Sequence, residues 1–594
     1  MKQESNMQLT SRLLFRLLPV QFFLALVSSV NGIVSGLFAT NCIGVDAMTA
    51  IGLYNPFNMF TGAISLMMVG GATILCGKYI GRNETDKVQD VLSLSNTLCV
   101  LIAGIFIVLY LFLAIFDLTG FIARDPAIRP LFNHYLVGQS FGVMPLFLGN
   151  QLASFLSLEN QAKRTTFASL VYLAVNVFLN YLFLIVLNVE KKEFALALAS
   201  SIGLWVFFLL QTPYFFKKDV SLRLFKSGFS WRMSRDIVKI GIPGAASNGY
   251  QTLRSLIVNN LLTTVLASSG SAALSAFTAS DTLLRFAWAL PTGMLAVSRM
   301  LISISIGEED RQTLTDVMRN MFRRFLPLMS VICLAIILLA KPLAGLFYRP
   351  YELPVYNMTV WGFRILPVCM PLSIICMHFV CYAQASNKQV LVHILSLLDG
   401  VVCVAGFTAL LIRSVGMNSV YIANVLNGVV TTIVIVMYAA IRNKKMPGSM
   451  DELMVVPEDF GVSEDARMDL SVRSVQDVVT VSERVQKFCT EHGIDGKRSY
   501  FAALFLEEMA GNVVEHGFSK DHKPHSVDIR VVHKDDSVIL RIKDDCIGFN
   551  PKDRSTVSDP DDPAKNIGIR MIYQMSEKIE YQNILGLNVL TARI

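Results

Sequence analysis

The chain has 594 residues, 53% of them hydrophobic and only 16% charged, with a formal net charge of +7. Soluble proteins carry roughly 25% charged residues, so this composition excludes an ordinary soluble chain and indicates a membrane protein. The charge lies in loops, and basic residues are not interleaved with a stripe of aromatics. That pattern suits a bilayer surface and argues against a nucleic-acid partner.

A bilayer core of ~30 Å needs about 20 apolar residues per helix. Segments of that kind fall near 13–38, 50–77, 91–116, 131–156, 167–188 and 194–216. After a basic stretch, Lys217–Lys239, they recur near 240–266, 273–305, 321–346, 355–383, 390–412 and 417–441. This predicts a mostly α membrane protein of twelve helices in two sets of six. The first run is too long, and lacks a small-residue cleavage pattern, for a signal peptide. Lys and Arg in short loops total roughly 24 on one side, including both ends and Lys217–Lys239, against about 7 on the other. Both termini are therefore expected in the cytoplasm of a cell-membrane protein.

The two halves read as copies. Gly81-Arg-Asn-Glu-Thr-Asp-Lys-Val-Gln-Asp-Val-Leu92 follows the second span, and Gly307-Glu-Glu-Asp-Arg-Gln-Thr-Leu-Thr-Asp-Val-Met318 follows the eighth. Pro145 matches Pro371, and Leu158-Glu-Asn-Gln-Ala-Lys163 matches Ala383-Gln-Ala-Ser-Asn-Lys388. Six spans is an even number, so the repeats are parallel, which is a transporter plan with a cavity between lobes. The divisions expected are 1–225 for the first lobe, 226–445 for the second, 446–466 for a flexible linker and 467–594 for a soluble domain.

Ionisable groups inside a membrane are costly and point to function. The candidates are Arg254, Asp281, Arg285, Arg364, His378 and Asp399. Asp281 and Arg285 are one turn apart, so they either neutralise each other or serve coupling and substrate. Asp399 has no basic neighbour in sequence and is the best single proton site. His378 is expected to be a hydrogen-bonded core histidine. The ten scattered cysteines show no zinc spacing and read as small buried hydrophobes. Gly77-Lys78 lacks the surroundings of a phosphate-binding P-loop.

Several of these residues resemble the multidrug and toxic compound extrusion (MATE) family. They are Gly44-Val-Asp-Ala-Met-Thr-Ala-Ile-Gly52, Gly70-Gly71 before Gly77-Lys-Tyr-Ile-Gly81, Ile240-Gly-Ile-Pro243 and Ile306-Gly-Glu308. The resemblance covers most of residues 10–440 and implies cation- or proton-coupled export of small organic solutes by a two-lobed body. Where members often carry an Asp in the first helix, this chain reads Gly36, with Asn31 and Asn41 nearby.

The last quarter alternates between strand and helix patterns. Strands are expected at 467–473, 527–532, 538–542, 578–583 and 587–593, and helices at 475–492, 497–517 and 567–576, which gives an α/β two-layer sandwich. Glu508, Asn512 and His516 fall at i, i+4, i+8 on one helix stripe. Asp544 ends a strand before the Cys546-Ile-Gly548 turn, and Asn566-Ile-Gly568 opens a helix, where backbone N–H groups suit phosphate. In this order the motifs resemble the Bergerat-fold ATPases, in particular the anti-sigma-factor serine kinases. The resemblance implies ATP and Mg²⁺ as cofactors, with Glu508 as general base, Asn512 on Mg²⁺ and Asp544 on the adenine amino group. Gly548 and Gly568 would frame the nucleotide, His516 and Asn566 would lie in the same site, and 550–566 would form its lid. Cys546 and Asn566 stand where that branch usually has glycines. Two functions are carried forward. One is a secondary exporter with a regulatory or signalling ATP-binding domain. The other is a membrane-anchored serine protein kinase or switch protein acting on a cytoplasmic antagonist-like partner, with the helical body as receptor or anchor.

Overall fold

A computed structural model describes residues 18–594, except for parts of 20–44, 122–127, parts of 218–229, 267–269, 349–353, 464, 520–524, 535, 549, 553–566 and 577. Among the described residues, ten helices are long and apolar enough to cross a membrane. Two expected spans are not among these ten. The first is described only in part. The seventh is a continuous helix, Trp231–Val265, whose polar residues, among them Arg254, lower its hydropathy. The two halves repeat in backbone detail. The turn after Gly81 places Asn83 at φ 59°, and the turn after Gly307 places Glu309 at φ 53°. Asn160 and Asn387 likewise share φ near 57° in the matching turns after Leu158 and Ala385.

The halves touch backbone to backbone on the side that carries the C-terminal domain. A Cβ on Gly71 would lie 2.1 Å from the Ile237 carbonyl oxygen, and one on Gly241 2.1 Å from that of Met67. Nearer the domain, Gly81 meets Ile304 and Glu308, and Gly307 meets Lys78, just as closely. Small residues let helices approach to this range in a bilayer, where dispersion replaces the hydrophobic drive. Glycines of the MATE-like motifs thus build a seam that is shut on that side.

The C-terminal domain has five antiparallel strands: β1 Arg467–Val472, β2 Val527–Lys534, β3 Ser537–Asp544, β4 Lys578–Ile584 and β5 Leu587–Arg593, in the order β1-β2-β3-β5-β4. Helix Val475–Glu491 starts at a capping box of Ser474 and Asp477, and helix Gly496–Asn512 at the Asp495 cap. Apolar positions alternating along the strands, such as Leu470, Ile529, Leu540 and Leu590, pack with Phe501, Phe505 and Leu506 of these helices into a separate core.

The other sheet face is charged, and it rests on the membrane body. Arg541 and Lys543 of β3 meet Glu308, at 3.4 and 2.7 Å, and Lys534 of β2 meets Glu309. Arg530 of β2 pairs with Asp310 and, at 2.8 Å, with Asp469 of β1. Asp310 also caps helix Arg311–Asn320 by accepting from the Thr313 N–H at 2.8 Å. The linker was expected to be flexible. Instead, its short helix Met450–Met454 is bolted to the second half by Arg311 on Asp451 at 2.8 Å and by Lys388, which donates to the Met454 carbonyl at 2.7 Å. These partners lie far away in the chain, so local composition could not report them.

Burial alone would raise the Asp310 carboxyl pKa, but the Arg530 and Lys543 cations more than offset it and hold it well below the carboxylate range. Asp528 on β2 behaves oppositely. It is 6% exposed. Burial, aided by Asp469 and Asp545 and opposed by the Ser471 hydroxyl and by Lys543, pushes it up to about 6. A raised carboxyl pKa favours the protonated form in the folded state. The domain should therefore gain stability as pH falls through about 6 toward the ordinary value near 4. The melting temperature of the full chain should rise from pH 7 to pH 5, and Asp528→Asn should flatten that slope. An unchanged slope in the variant would rule out Asp528 as its source.

Candidate functional site

Two of the candidate residues of the C-terminal domain, Asp544 and Gly548, lie at the end of β3. Asp544 is buried and accepts at Oδ1 from the Cys546 N–H at 3.0 Å and from Asn588 Nδ2 at 2.7 Å. Burial pushes its carboxyl up, and the Asn588 and Cys546 donors oppose the shift. Asn588 in turn accepts from the Tyr581 hydroxyl and from Asn583 Nδ2, each at 2.7 Å, and donates to the Cys546 carbonyl at 3.2 Å. A Cβ on Gly548 would come within 3.1 Å of Asn583, so this turn lies against the amide network.

Tyr581, Asn583 and Asn588 were not anticipated. The available signal was Tyr-x-Asn on one face of β4, with Asn588 directly paired to Asn583 across the hairpin.

Glu508 and Asn512 are half-buried on helix Gly496–Asn512. The helix was expected to continue to residue 517, but Val513–Gly517 is a π-helical turn. Its wider winding carries His516 off the Glu508–Asn512 stripe and leaves it exposed. Gly568, in the first turn of helix Ile567–Met575, faces Glu508: a Cβ there would lie 2.0 Å from Glu508 Oε2. The arrangement therefore brings Glu508 to a glycine at a helix N-terminus, and Asp544 lies at the end of β3. Asn566 and lid residues 553–566 lie outside the described residues. Beside Asp544, His525 Nδ1 is 2.9 Å from Asp545 Oδ1, with the Cys546 thiol nearby, a juxtaposition that sequence spacing did not reveal.

In the helical body, Asp281 and Arg285 form an i,i+4 pair at 3.0 Å. Asp399 sits in a π-helical turn, Leu398–Val402, and its Oδ1 accepts from Asn427 Nδ2 at 2.7 Å. Arg254 reaches the same place but donates to the Asp399 backbone carbonyl, at 3.3 Å. Arg364 lies over the Trp361 ring. His378 is fully buried, with Ser298 on one ring nitrogen and the Ile374 carbonyl on the other, as expected of a core histidine.

The first half holds a polar cluster that was not anticipated. Asn31 donates to the Tyr172 hydroxyl at 2.6 Å, and Asn180 donates to Asn176, which itself donates to Ser200. Tyr172, Asn176 and Asn180 are spaced by four within an apolar helix, which was the signal for a shared face. Gly36 and Asn41 lie outside the described residues.

Residues 19–182 match the MatE family model, and residues 473–594 match the histidine kinase-like ATPase domain. The chain joins a MatE domain to a histidine kinase-like ATPase domain. Curated relatives include the "Probable multidrug resistance protein NorM" of Bacillus subtilis (strain 168), 24% identical over 297 residues, 46% of this chain and 62% of the relative. Its namesake from Bacillus anthracis is 24% identical over 267 residues, 42% of this chain and 58% of the relative. The chain thus spans about three fifths of the length of the curated relatives it matches.

Among solved structures, the outward-facing conformation of a multidrug resistance MATE family transporter of the MOP superfamily aligns with TM-score 0.67 and 19% identity, over 75% of this chain and 99% of that one. A MOP superfamily transporter from Pyrococcus furiosus, described as having a binding pocket of reverse polarity, aligns with TM-score 0.65 and 18% identity, over 73% and 97%. At these identities the likeness concerns fold. The fold extends through both halves, well beyond the 19–182 match, and the protein is a multi-pass membrane protein with the MATE architecture.

Proposed function

We propose that this protein is a secondary exporter of small organic solutes, driven by a cation or proton, whose ATPase domain regulates it from the cytoplasm. The observation that carries this reading is the union of the two parts. The charged sheet face of the ATPase domain sits on the turn Glu308–Asp310 between two spans of the second lobe, beside the seam between lobes. The excess of Lys and Arg in the loops of that side supports a cytoplasmic position for it.

Asp399, held by Asn427 beside Arg254, is the proposed coupling site. The Asp281–Arg285 pair is the proposed polar patch for solute. In the ATPase domain the residues suit ATP. Asp544 is an acceptor for the adenine amino group. Asn512 would hold Mg²⁺, Gly548 and Gly568 would frame the nucleotide, and Glu508 would take a proton from the attacking hydroxyl or water. ATP would supply a transferable phosphoryl group.

The second reading, a membrane-anchored serine kinase, draws on Gly36 in the first span and on the self-neutralised Asp281–Arg285 pair. Uptake of cationic dyes by inverted vesicles separates the two. The exporter reading expects uptake to fall at least tenfold in Asp399→Asn and to fall in Asp281→Asn. Absence of transport, together with Glu508-dependent serine phosphorylation of a cytoplasmic protein, would establish the kinase instead.

A further inference from the structure

The ATPase domain touches both lobes, not only the second. The β4–β5 hairpin turns through Leu585 and Gly586, at φ 55° and 76°, a two-residue connection of the kind that matches strand twist. At its tip the Leu585 N–H donates to the Leu158 carbonyl, at the end of a first-lobe helix, at 3.0 Å. The Leu585 side chain is 2% exposed and belongs to the apolar cluster of the helical body rather than to that of its own domain. The cleft beneath the sheet is correspondingly lined from three sides: Ile80 and Asn83 of the first lobe, Ser305 of the second, and Asp528, Arg530 and Gln582 of the sheet. The domain therefore straddles the seam where Gly81 and Gly307 bring the lobes together. Parting the lobes on this side must break either the Leu158 contact or the Glu308–Asp310 contacts.

Both contacts are adjacent in the chain to the proposed adenine site. Lys543, on Glu308, immediately precedes Asp544. Asn588, whose amide donates to Asp544, stands on the hairpin that ends in Leu585. An adenine amino group donating to Asp544 would share the carboxylate that Asn588 holds, and Asn588 is tied to Tyr581 and Asn583 on β4. We propose that the ATPase domain is a clamp across the two lobes, released at the Leu585 hairpin when ATP engages Asp544. This rests on the ATP-site reading given above and adds the mechanical target of that site.

The test uses the full chain in lipid nanodiscs, with fluorophores introduced through unnatural amino acids at Asp86 and Arg323, one on each lobe and both exposed. Energy transfer reports the ratio of lobes apart to lobes together, and ATP binding is measured on the same sample. ATP with Mg²⁺ is expected to raise the ratio about tenfold. Asn588→Ala and the pair Arg541→Glu with Lys543→Glu are expected to reduce the response below twofold. Adding Glu308→Lys to the Arg541→Glu, Lys543→Glu pair should recover it, which separates lost coupling from lost folding. A wild-type ratio that ignores bound ATP, or an undiminished response in the Arg541/Lys543 variant, overturns the clamp and leaves the ATP site standing. Absence of ATP binding overturns the site and the clamp together, whatever the dye transport shows.

Discussion

Replacing Arg530 by alanine is expected to destabilise the docked ATPase domain by about 3–5 kcal/mol, the range found when one partner of a buried ion pair is removed. Arg530 is the shared cation of two carboxylates, Asp310 on the membrane body and Asp469 on β1, and all three side chains are largely shielded from water. Truncation leaves both acids buried, Asp310 with only the more distant Lys543 cation and Asp469 with Arg467 at 3.9 Å. Asp310 retains its cap on Thr313, so helix Arg311–Asn320 should survive while the interface loosens. Lysine at this position should restore little, because a single ammonium cannot match the forked geometry of a guanidinium between two acceptors. Protease cleavage within 446–466 and the melting temperature of the full chain read the effect. A variant that melts with the wild type and resists protease equally would show that the interface carries no stability. The wild-type pair is robust to acid: a carboxyl held below its ordinary pKa contributes stability that is fully present above about pH 4 and is lost only as pH falls well below that.

The second large effect concerns the nucleotide. Asn512→Ala should weaken ATP binding by the full chain at least tenfold in the presence of Mg²⁺, about 1.4 kcal/mol or more, with a smaller change when Mg²⁺ is withheld. Glu508→Gln should bind ATP within about twofold of the wild type but lose at least a hundredfold in turnover, because a positioned general base contributes roughly 10²–10⁴. The two residues share a half-buried helix face, and Glu508 lies against Gly568. Calorimetric titration and phosphate release separate binding from chemistry. Unaltered ATP affinity in Asn512→Ala would remove the proposed site.

Much of this architecture is legible in the linear chain because its signals are local. Spans need only apolar runs of sufficient length, and the internal repeat shows in matched turns whose backbone angles then coincide at Asn83 and Glu309. The ATPase sheet follows from alternation with period two. Legibility fails where a signal is local but ambiguous. The stripe of Glu508, Asn512 and His516 assumed regular α winding, and the π-helical turn at Val513 breaks it. Tyr172, Asn176 and Asn180 share a face by their spacing, but their partner Ser200 comes from the neighbouring helix and no local signal names it.

The membrane class, the two parallel lobes and the α/β alternation of the appended domain are all legible in the linear chain. All of these depend on composition, periodicity or short motifs. That the appended domain is docked, and where, emerges from the three-dimensional packing alone. Arg530 meets Asp310, Lys543 meets Glu308 and Leu585 meets Leu158 across separations of hundreds of residues. Surface charges of opposite sign occur in every such chain. Which of them become buried partners depends on how two independently folded surfaces fit, and no periodicity along the chain encodes that fit.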